Sequence, residues 1–324
     1  MKTKCKQLFI SSVVLAGFNS TLILSAEQAT EHTIGVSVWS GYPNNVKGFK
    51  DALAESGVIE GKNLTIIYGK SAGDKLKQKD IAESFKQQQV DLVYTLTTPG
   101  TSIVKDIMPI STPIVFSIVT YPADSGLIDS FDYSGNNLVG TSNFVPFHLY
   151  VDLLTTVLPN AKRVAIFHRK GEPNSQIQAV NLSRLLRKKG LEVIDQQPKD
   201  VLEAQKMAEA LAGKIDAFVT TTDTLMQGGG EAMLIKVAQK LQVPILSSNK
   251  SGVEAGSTFG PVADFYTLGY MSGKMAVDIL VNKVKPTKMQ SKLHQPPMIL
   301  VNRVSLELLG IQIPSSIANI KYID

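Results

Sequence analysis

The sequence predicts an α/β fold made of two doubly wound parallel-sheet lobes joined by a three-strand hinge. Short apolar runs rich in β-branched residues alternate with helix-period segments along nearly the whole chain, which is typical of parallel sheets with helices on both faces. This rhythm restarts near residues 143–147, so two such sheets are expected in succession. Further strand and helix patterns follow the second set, which indicates that the chain crosses between the lobes three times.

The first half of the chain begins with a strand over Ile34–Val38. Val46, Phe49 and Leu53 then recur at helical spacing, and Gly57 supplies the end of that helix. Further strands are predicted at Leu64–Tyr68, Val90–Leu96, Pro113–Val119 and Leu138–Thr141, with helices around Ile81–Phe85 and over Thr101–Met108. The strands are apolar on both faces, as strands covered by helices on each side should be.

The second half repeats this order. Its predicted strands are Arg163–His168, Leu191–Gln196, Ala217–Thr221 and Val243–Leu246, and its helices are Asn174–Lys189, Val201–Ala212 and Glu231–Leu241. The remainder is less regular: a polar segment at Ser247–Gly252, a strand at Ser257–Val262, a long helix capped by Asp264, a strand at Met298–Val301 and a helix at Arg303–Leu309. We expect one lobe to comprise residues 33–143 and 250–285, and the other 144–249 and 286–324.

Residues 1–26 are predicted to be a cleaved secretory signal peptide. Lys2, Lys4 and Lys6 precede an apolar run that ends at Leu24, and Ala26 closes a passable cleavage site. We therefore expect a periplasmic protein, with an uncleaved anchor as the alternative because Leu24 is large for its place. Losing three lysines lowers the formal charge from +5 to +2, so no nucleic-acid partner is expected.

Motifs for catalysis or cofactor binding are not found in the sequence. The four histidines show no H-x-x-x-H spacing, so no metal site is expected. Gly228, Gly229 and Gly230 lack the phosphate-loop layout and read as the loose start of a helix. No G-x-S-x-G elbow is present. We predict a protein that is not an enzyme and that carries no cofactor.

Ligands of open α/β sheets bind beyond the carboxyl ends of the strands, and polar residues follow most of the predicted strands. The predicted ligand-binding residues are Trp39, Ser40, Thr98, Thr120 and Tyr121 in the first half, and Glu172, Asn174, Ser175, Thr222, Asp223 and Asn249 in the second. Each half thus offers polar groups that could grip a small ligand between the lobes.

The chemistry of these residues suits a zwitterion. Thr98 and the helix start that follows it offer a hydroxyl and backbone amides to a carboxylate, while Glu172 and Asp223 could share an ammonium group. Trp39, Tyr42 and Tyr121 could flank an apolar or aromatic side chain. The expected ligand is an aromatic or large aliphatic α-amino acid.

Other roles remain open for these residues. Thr98 could serve as an ordinary helix cap, Glu172 and Asp223 could be surface acids or caps, and Trp39 could pack between the lobes. Because carboxyl groups have reference pKa values near 4, ligand binding should change little between about pH 6 and 8. His168 is the one histidine near the predicted site.

Several segments resemble the ABC-transporter substrate-binding protein family, which includes tryptophan- and tyrosine-type binding proteins. They are residues 60–74 (EGKNLTIIYGKSAGD), 112–128 (TPIVFSIVTYPADSGLI), 212–226 (AGKIDAFVTTTDTLM) and 243–280. The similarity covers roughly residues 33–314. It implies the periplasmic-binding-protein type I fold, with a ligand in the interlobe cleft and three hinge strands.

The resemblance also implies residues and partners. The turns at Thr97–Pro99, Thr120–Pro122, Gly171–Ser175 and Thr222–Asp223 match the family's cleft loops. Two segments depart from the family's pattern: Ser248–Asn249, where relatives commonly carry an acid, and Trp39–Tyr42. We expect a monomer that delivers a small ligand to an ABC permease in the inner membrane. A ligand sensor for a membrane signalling receptor is the alternative.

Overall fold

A computed structural model describes Met1 and residues 31–324. The predicted signal peptide, apart from Met1, lies outside the described residues. Residues 31–324 form one compact unit. Within this part of the chain, no helix is both long and apolar enough to cross a membrane.

The first half of this unit alternates strands with helices. Its elements are β1 (His32–Val38), α1 (Pro43–Glu55), β2 (Leu64–Lys70), α2 (Lys75–Gln87), β3 (Leu92–Leu96), α3 (Thr98–Ile107), β4 (Ile114–Ser117) and β5 (Leu138–Ser142). The strands β3, β4 and β5 are buried along their whole length, as their uniformly apolar sequences require.

The second half continues the alternation. It contains α4 (Phe147–Val157), β6 (Arg163–Phe167), α5 (Pro173–Lys188), β7 (Glu192–Gln196), α6 (Val201–Glu209), β8 (Ala217–Thr220), a kinked turn (Met226–Gly230), α7 (Glu231–Leu241), β9 (Ile245–Leu246), α8 (Lys250–Glu254) and β10 (Phe259–Val262). The chain ends with α9 (Phe265–Leu280), a 3₁₀ turn (Pro286–Lys288), β11 (Lys292–Leu293), β12 (Met298–Asn302), α10 (Arg303–Leu309) and β13 (Ile320–Ile323).

Two sheets form the two lobes. The first has the strand order β11-β5-β4-β3-β1-β2, and the second β13-β12-β10-β9-β8-β6-β7. All pairings are parallel except that of β10 with β12. This architecture confirms the predicted fold class.

The boundaries between the lobes differ from the predicted division. β10 pairs with β9 and β12, so residues 250–262 belong to the second sheet. β11 pairs with β5 and so belongs to the first. The chain therefore crosses between the lobes at 143–146, 263–264 and 294–297. The second crossing is set by Asp264, whose carboxylate accepts a hydrogen bond from the backbone N–H of Thr267 and begins α9.

Helix α9 returns to the first lobe because it packs tightly on α1. Glycines face the contact: a Cβ atom on Gly48 would lie 2.1 Å from the carbonyl oxygen of Tyr266, and one on Gly269 would lie 1.9 Å from that of Asn45. The Asn45 side chain also donates to the Phe265 carbonyl at 2.9 Å. The α1–α9 pair thus fixes the start of α1, which lies directly after the end of β1.

Candidate functional site

The carboxyl ends of the strands in the two lobes face each other across a narrow space, here called the cleft. It is lined by Tyr42, Thr97, Thr98, Ile118 and Thr120 from the first lobe, and by Glu172, Asn174, Thr222, Asp223, Thr224 and Gln227 from the second. The lobes leave about 10 Å³ here, about the room that one water molecule needs. Any larger ligand therefore requires the lobes to separate.

The structure brings six of the predicted ligand-binding residues together in the cleft. They are Thr98, Thr120, Glu172, Asn174, Thr222 and Asp223. All six are buried, although each is polar or charged. Burying polar groups is costly unless they find partners, so their hydrogen bonds decide what the cleft can hold.

On the first-lobe side, the start of α3 points a hydroxyl group into the cleft. Thr97, with a positive φ of 71°, caps this helix by accepting from the Gly100 N–H at 3.4 Å. Thr98 is therefore not the cap. Its Oγ1 atom is buried and has no hydrogen-bond partner among residues 31–324. The positive end of the helix dipole and a free hydroxyl thus coincide, an arrangement suited to an anionic group.

On the second-lobe side, Asp223 is held by the chain itself. Its Oδ1 atom accepts from the Met226 N–H at 2.7 Å. Its Oδ2 atom accepts from the Arg169 N–H at 2.9 Å and from the Thr221 hydroxyl at 2.8 Å. Burial nevertheless raises the pKa of Asp223 above its ordinary value, against the lowering effect of these bonds.

Glu172 faces Asp223 in the same lobe. Its Oε2 atom accepts from the Thr224 hydroxyl at 2.5 Å, and the nearest guanidinium nitrogen of Arg169 lies 4.0 Å away. Burial, and then the negative charge of Asp223, raise the pKa of Glu172 to about 7. The expectation that both carboxyl groups titrate near pH 4 is therefore wrong, because it took no account of burial or of the like-charged neighbour.

Asn174 and Thr222 complete the second-lobe wall. The Asn174 side chain donates to the carbonyl oxygen of Thr222 at 2.7 Å, and the Thr222 N–H donates to the side chain of Gln178 at 2.8 Å. The Oδ1 atom of Asn174 is buried without a partner in the described part of the chain. It offers the cleft a hydrogen-bond acceptor.

The other two second-lobe candidates, Ser175 and Asn249, lie behind the cleft wall. The Ser175 hydroxyl donates to the carbonyl oxygens of Arg169 and Glu172 at 3.2 and 3.1 Å. Asn249 is hydrogen-bonded to Gln227, Thr221 and Glu231. Both residues therefore support side chains or loops of the cleft and do not line it.

Among the aromatic candidates, only Tyr42 lines the cleft. Its ring meets that of Phe265 edge to face, with centroids 5.7 Å apart. Tyr121 packs against Phe144 and Phe147 at the first crossing. Trp39 is buried, with its ring N–H unpartnered within residues 31–324, and it does not line the cleft.

Ser40 lies beside the cleft, with its hydroxyl 3.4 Å from that of Tyr42. The resemblance had implied Thr97 as part of a cleft loop, whereas three other cleft-lining residues were not predicted: Ile118, Thr224 and Gln227. Thr224 adjoins Asp223, which was selected, and Ile118 directly follows β4, which ends earlier than the predicted strand. Gln227 precedes the glycine run that was interpreted as a loose helix start.

Among the described residues, no group of three or more His, Cys, Asp or Glu side chains could hold a metal ion.

Comparisons with known proteins agree with this architecture. A family model described as ABC transporter substrate binding protein matches residues 36–321. A relative named Tyrosine-binding protein, from Clostridioides difficile (strain R20291), is 30% identical over 300 residues, which cover 90% of this chain and 85% of that protein.

Solved structures show the same fold. The ABC domain in complex with L-Trp from Streptococcus pneumonia has a TM-score of 0.83 at 26% identity and covers 89% of this chain and 97% of that one. A ligand-free, open structure of a substrate binding protein with adhesive properties from Clostridium difficile has a TM-score of 0.70 at 28% identity, covering 90% and 99%. The backbone is thus more similar to the L-Trp complex than to the open relative.

The family model begins within β1 and ends within β13, so it includes all three crossings and every residue that lines the cleft. The chain belongs to the ABC transporter substrate-binding protein family.

Proposed function

We propose that this protein captures an aromatic α-amino acid between its lobes and delivers it to an ABC importer. The observation that carries the proposal is the polarity of the cleft. The second lobe presents two buried carboxyl groups, Glu172 and Asp223, and the first presents the start of α3 with the hydroxyl of Thr98. An α-amino acid has the matching pair of charges.

The ammonium group of the ligand would lie against the second lobe. Among residues 31–324, the cation paired with Glu172 is the Arg169 guanidinium at 4.0 Å, and the Arg169 side chain is one-third exposed. One partly solvated cation leaves excess negative charge when both acids are ionised. A ligand ammonium would compensate it through charge-assisted hydrogen bonds, which are about twice as strong as neutral ones.

The carboxylate of the ligand would lie at the start of α3. Thr98 offers its hydroxyl there, and the positive end of the helix dipole favours an anion. The aromatic character of the ligand is supported by the printed names of two relatives, one a tyrosine-binding protein and one complexed with L-Trp. The ring of Tyr42 at the cleft agrees with it.

Transport also needs export and a membrane partner. The predicted signal peptide at residues 1–26 and the family membership support a periplasmic location and docking of the ligand-bound form on an ABC permease. We propose that the protein acts as a monomer and carries out no chemical reaction on its ligand.

The Asp223→Asn variant tests the ligand's position. It removes one partner of a buried charge pair, and should weaken L-tyrosine binding by about 2–5 kcal/mol in titration calorimetry. Asp80→Asn, a change of the same chemistry at an exposed site on α2, should leave the affinity unchanged. Equal affinities of wild type and Asp223→Asn would contradict the proposed contact.

A further inference from the structure

A second cavity, here called the side groove, adjoins the cleft. The two share Tyr42 and Gln227. The side groove has a volume of about 390 Å³ and lies between the start of α1, the glycine run, α8 and the start of α9, so both lobes contribute to it. This volume falls in the range of small-molecule sites, whereas the cleft itself has room for about one water molecule until the lobes separate.

The lining of the side groove is aromatic at one end and charged at the other. Tyr42, Phe265 and Tyr266 supply rings, and Pro43 adds an apolar surface. Lys250 and Asp264 form an ion pair at 2.6 Å along its wall. An amphipathic side chain, apolar along its ring and polar at its tip, matches such a lining.

Gln227 stands at the junction of the two cavities, and its amide orientation is fixed from behind. The Asn249 side-chain amide donates to the carbonyl oxygen of Thr221 at 3.3 Å and to the carboxyl group of Glu231 at 2.7 Å. A carbonyl oxygen can only accept, so the Oδ1 atom of Asn249 must face Gln227. It accepts from the Gln227 amide nitrogen at 2.9 Å.

This chain of hydrogen bonds leaves one atom of Gln227 without a partner. Its Oε1 atom is buried and makes no hydrogen bond to any residue between 31 and 324. The backbone around it is also unusual: Met226–Gly230 is a kink at which Gly228 and Gly229 leave helical geometry, and Gly229 has a φ of 117°. This kink places Gln227, with its fixed amide, at the junction of the two cavities.

We propose that Gln227 is the specificity-determining residue of this site and selects ligands whose aromatic side chain carries a hydrogen-bond donor, a phenol O–H or an indole N–H. The inference rests on the proposed amino-acid ligand. With its polar head held between Thr98 and the two acids, the ligand directs its ring from the cleft towards Gln227, where the side groove begins. The Oε1 atom then accepts from the ring's donor, while a ring without one leaves this buried acceptor unpaired.

Selection of this kind is strong because a ligand without a ring donor leaves the buried acceptor of Gln227 without a hydrogen bond. A site built to hydrogen-bond a ligand O–H or N–H rejects the analogue that lacks it far better than an apolar pocket distinguishes two sizes. L-Tyrosine and L-phenylalanine differ by a single hydroxyl group. We expect wild-type protein to bind L-tyrosine at least about tenfold more tightly than L-phenylalanine, because a lost hydrogen bond to a buried group has about that effect.

The test compares the affinity ratio of L-tyrosine to L-phenylalanine in three proteins by titration calorimetry. In Gln227→Met, which keeps the side-chain length but removes the acceptor, the ratio should fall to near one while L-phenylalanine still binds. In Gln87→Met, an exposed position at the end of α2, the ratio should equal that of wild type. L-Tryptophan should lose affinity in Gln227→Met as L-tyrosine does.

Two results would overturn the proposed role of Gln227 and leave the proposed function intact. One is wild-type protein that binds L-tyrosine and L-phenylalanine equally. The other is a Gln227→Met variant that loses the same factor for both, which would place Gln227 against the ligand's ammonium or in the folding of the turn. Wild-type protein that binds none of the three ligands would instead overturn the proposed function.

Discussion

At the scale of single residues, the carboxyl group of Glu172 makes the site sensitive to pH. It is protonated below its pKa of about 7 and ionised above it, and a ligand ammonium requires the ionised form. Affinity for L-tyrosine should therefore rise by about tenfold from pH 6 to pH 8, and binding at pH 7 should release protons. Calorimetry in buffers of different protonation enthalpy measures both effects.

Glu172→Gln should abolish this dependence, because the amide does not titrate. Glu83→Gln, at an exposed position on α2, should retain it. A wild-type affinity that stays constant across this range would show that Glu172 does not face the ligand's charge.

Which side chains lie near the cleft could be predicted at this scale, but their electrostatics could not. Strand ends identified Thr98, Thr120, Glu172 and Asp223, since the carboxyl ends of parallel strands meet at one edge. The raised pKa of Glu172 depends on burial and on the charge of Asp223. The fixed amide of Gln227 depends on contacts with Asn249 and beyond. Both need three-dimensional neighbours that spacing along the chain does not reveal.

At the scale of elements, the close packing of α1 and α9 leaves no room for a side chain at Gly269. Replacing a glycine inside a helix with alanine ordinarily stabilises it by about 1 kcal/mol. Here the new methyl group would meet the Asn45 carbonyl oxygen at 1.9 Å. Gly269→Ala should therefore destabilise the protein by about 1–3 kcal/mol or more, as overpacking does.

Urea unfolding measures this effect, with Gly41→Ala as the control. A Cβ atom on Gly41 meets nothing within 4 Å, so that variant should unfold near the wild-type midpoint. A stabilised Gly269→Ala variant would contradict the described contact between the helices.

The regular elements could be predicted from the sequence because their periodicity is strong. The terminal helix Arg303–Leu309 and the Asp264 cap of α9 match the expectation. Helix α4 was not predicted, although Tyr150, Val151, Leu154 and Val157 are buried at helical spacing. β11 is only two residues long, and it forms a strand through its pairing with β5. Short elements of this kind depend on tertiary contacts, and β11 is one reason why the predicted lobe boundaries differ from the sheets.

At the scale of the whole molecule, two lobes meet over a cleft that is too small for an amino acid, and three crossings connect them. The backbone is more similar to an L-Trp complex than to an open relative. These observations support the proposal of a hinged receptor whose lobes separate to admit a ligand and close on it. Closure would remove water from Glu172, Asp223 and the ligand together, which strengthens every charge interaction between them.

A thermal-shift screen of the twenty amino acids, with sugars and nucleosides alongside, tests the central claim most directly. A ligand at one hundred times its Kd stabilises the folded protein by about 2.7 kcal/mol, which is readily detected. We predict large shifts with L-tyrosine and L-tryptophan and none with sugars or nucleosides. No shift with any amino acid, together with a clear shift from a sugar or a nucleoside, would contradict the account.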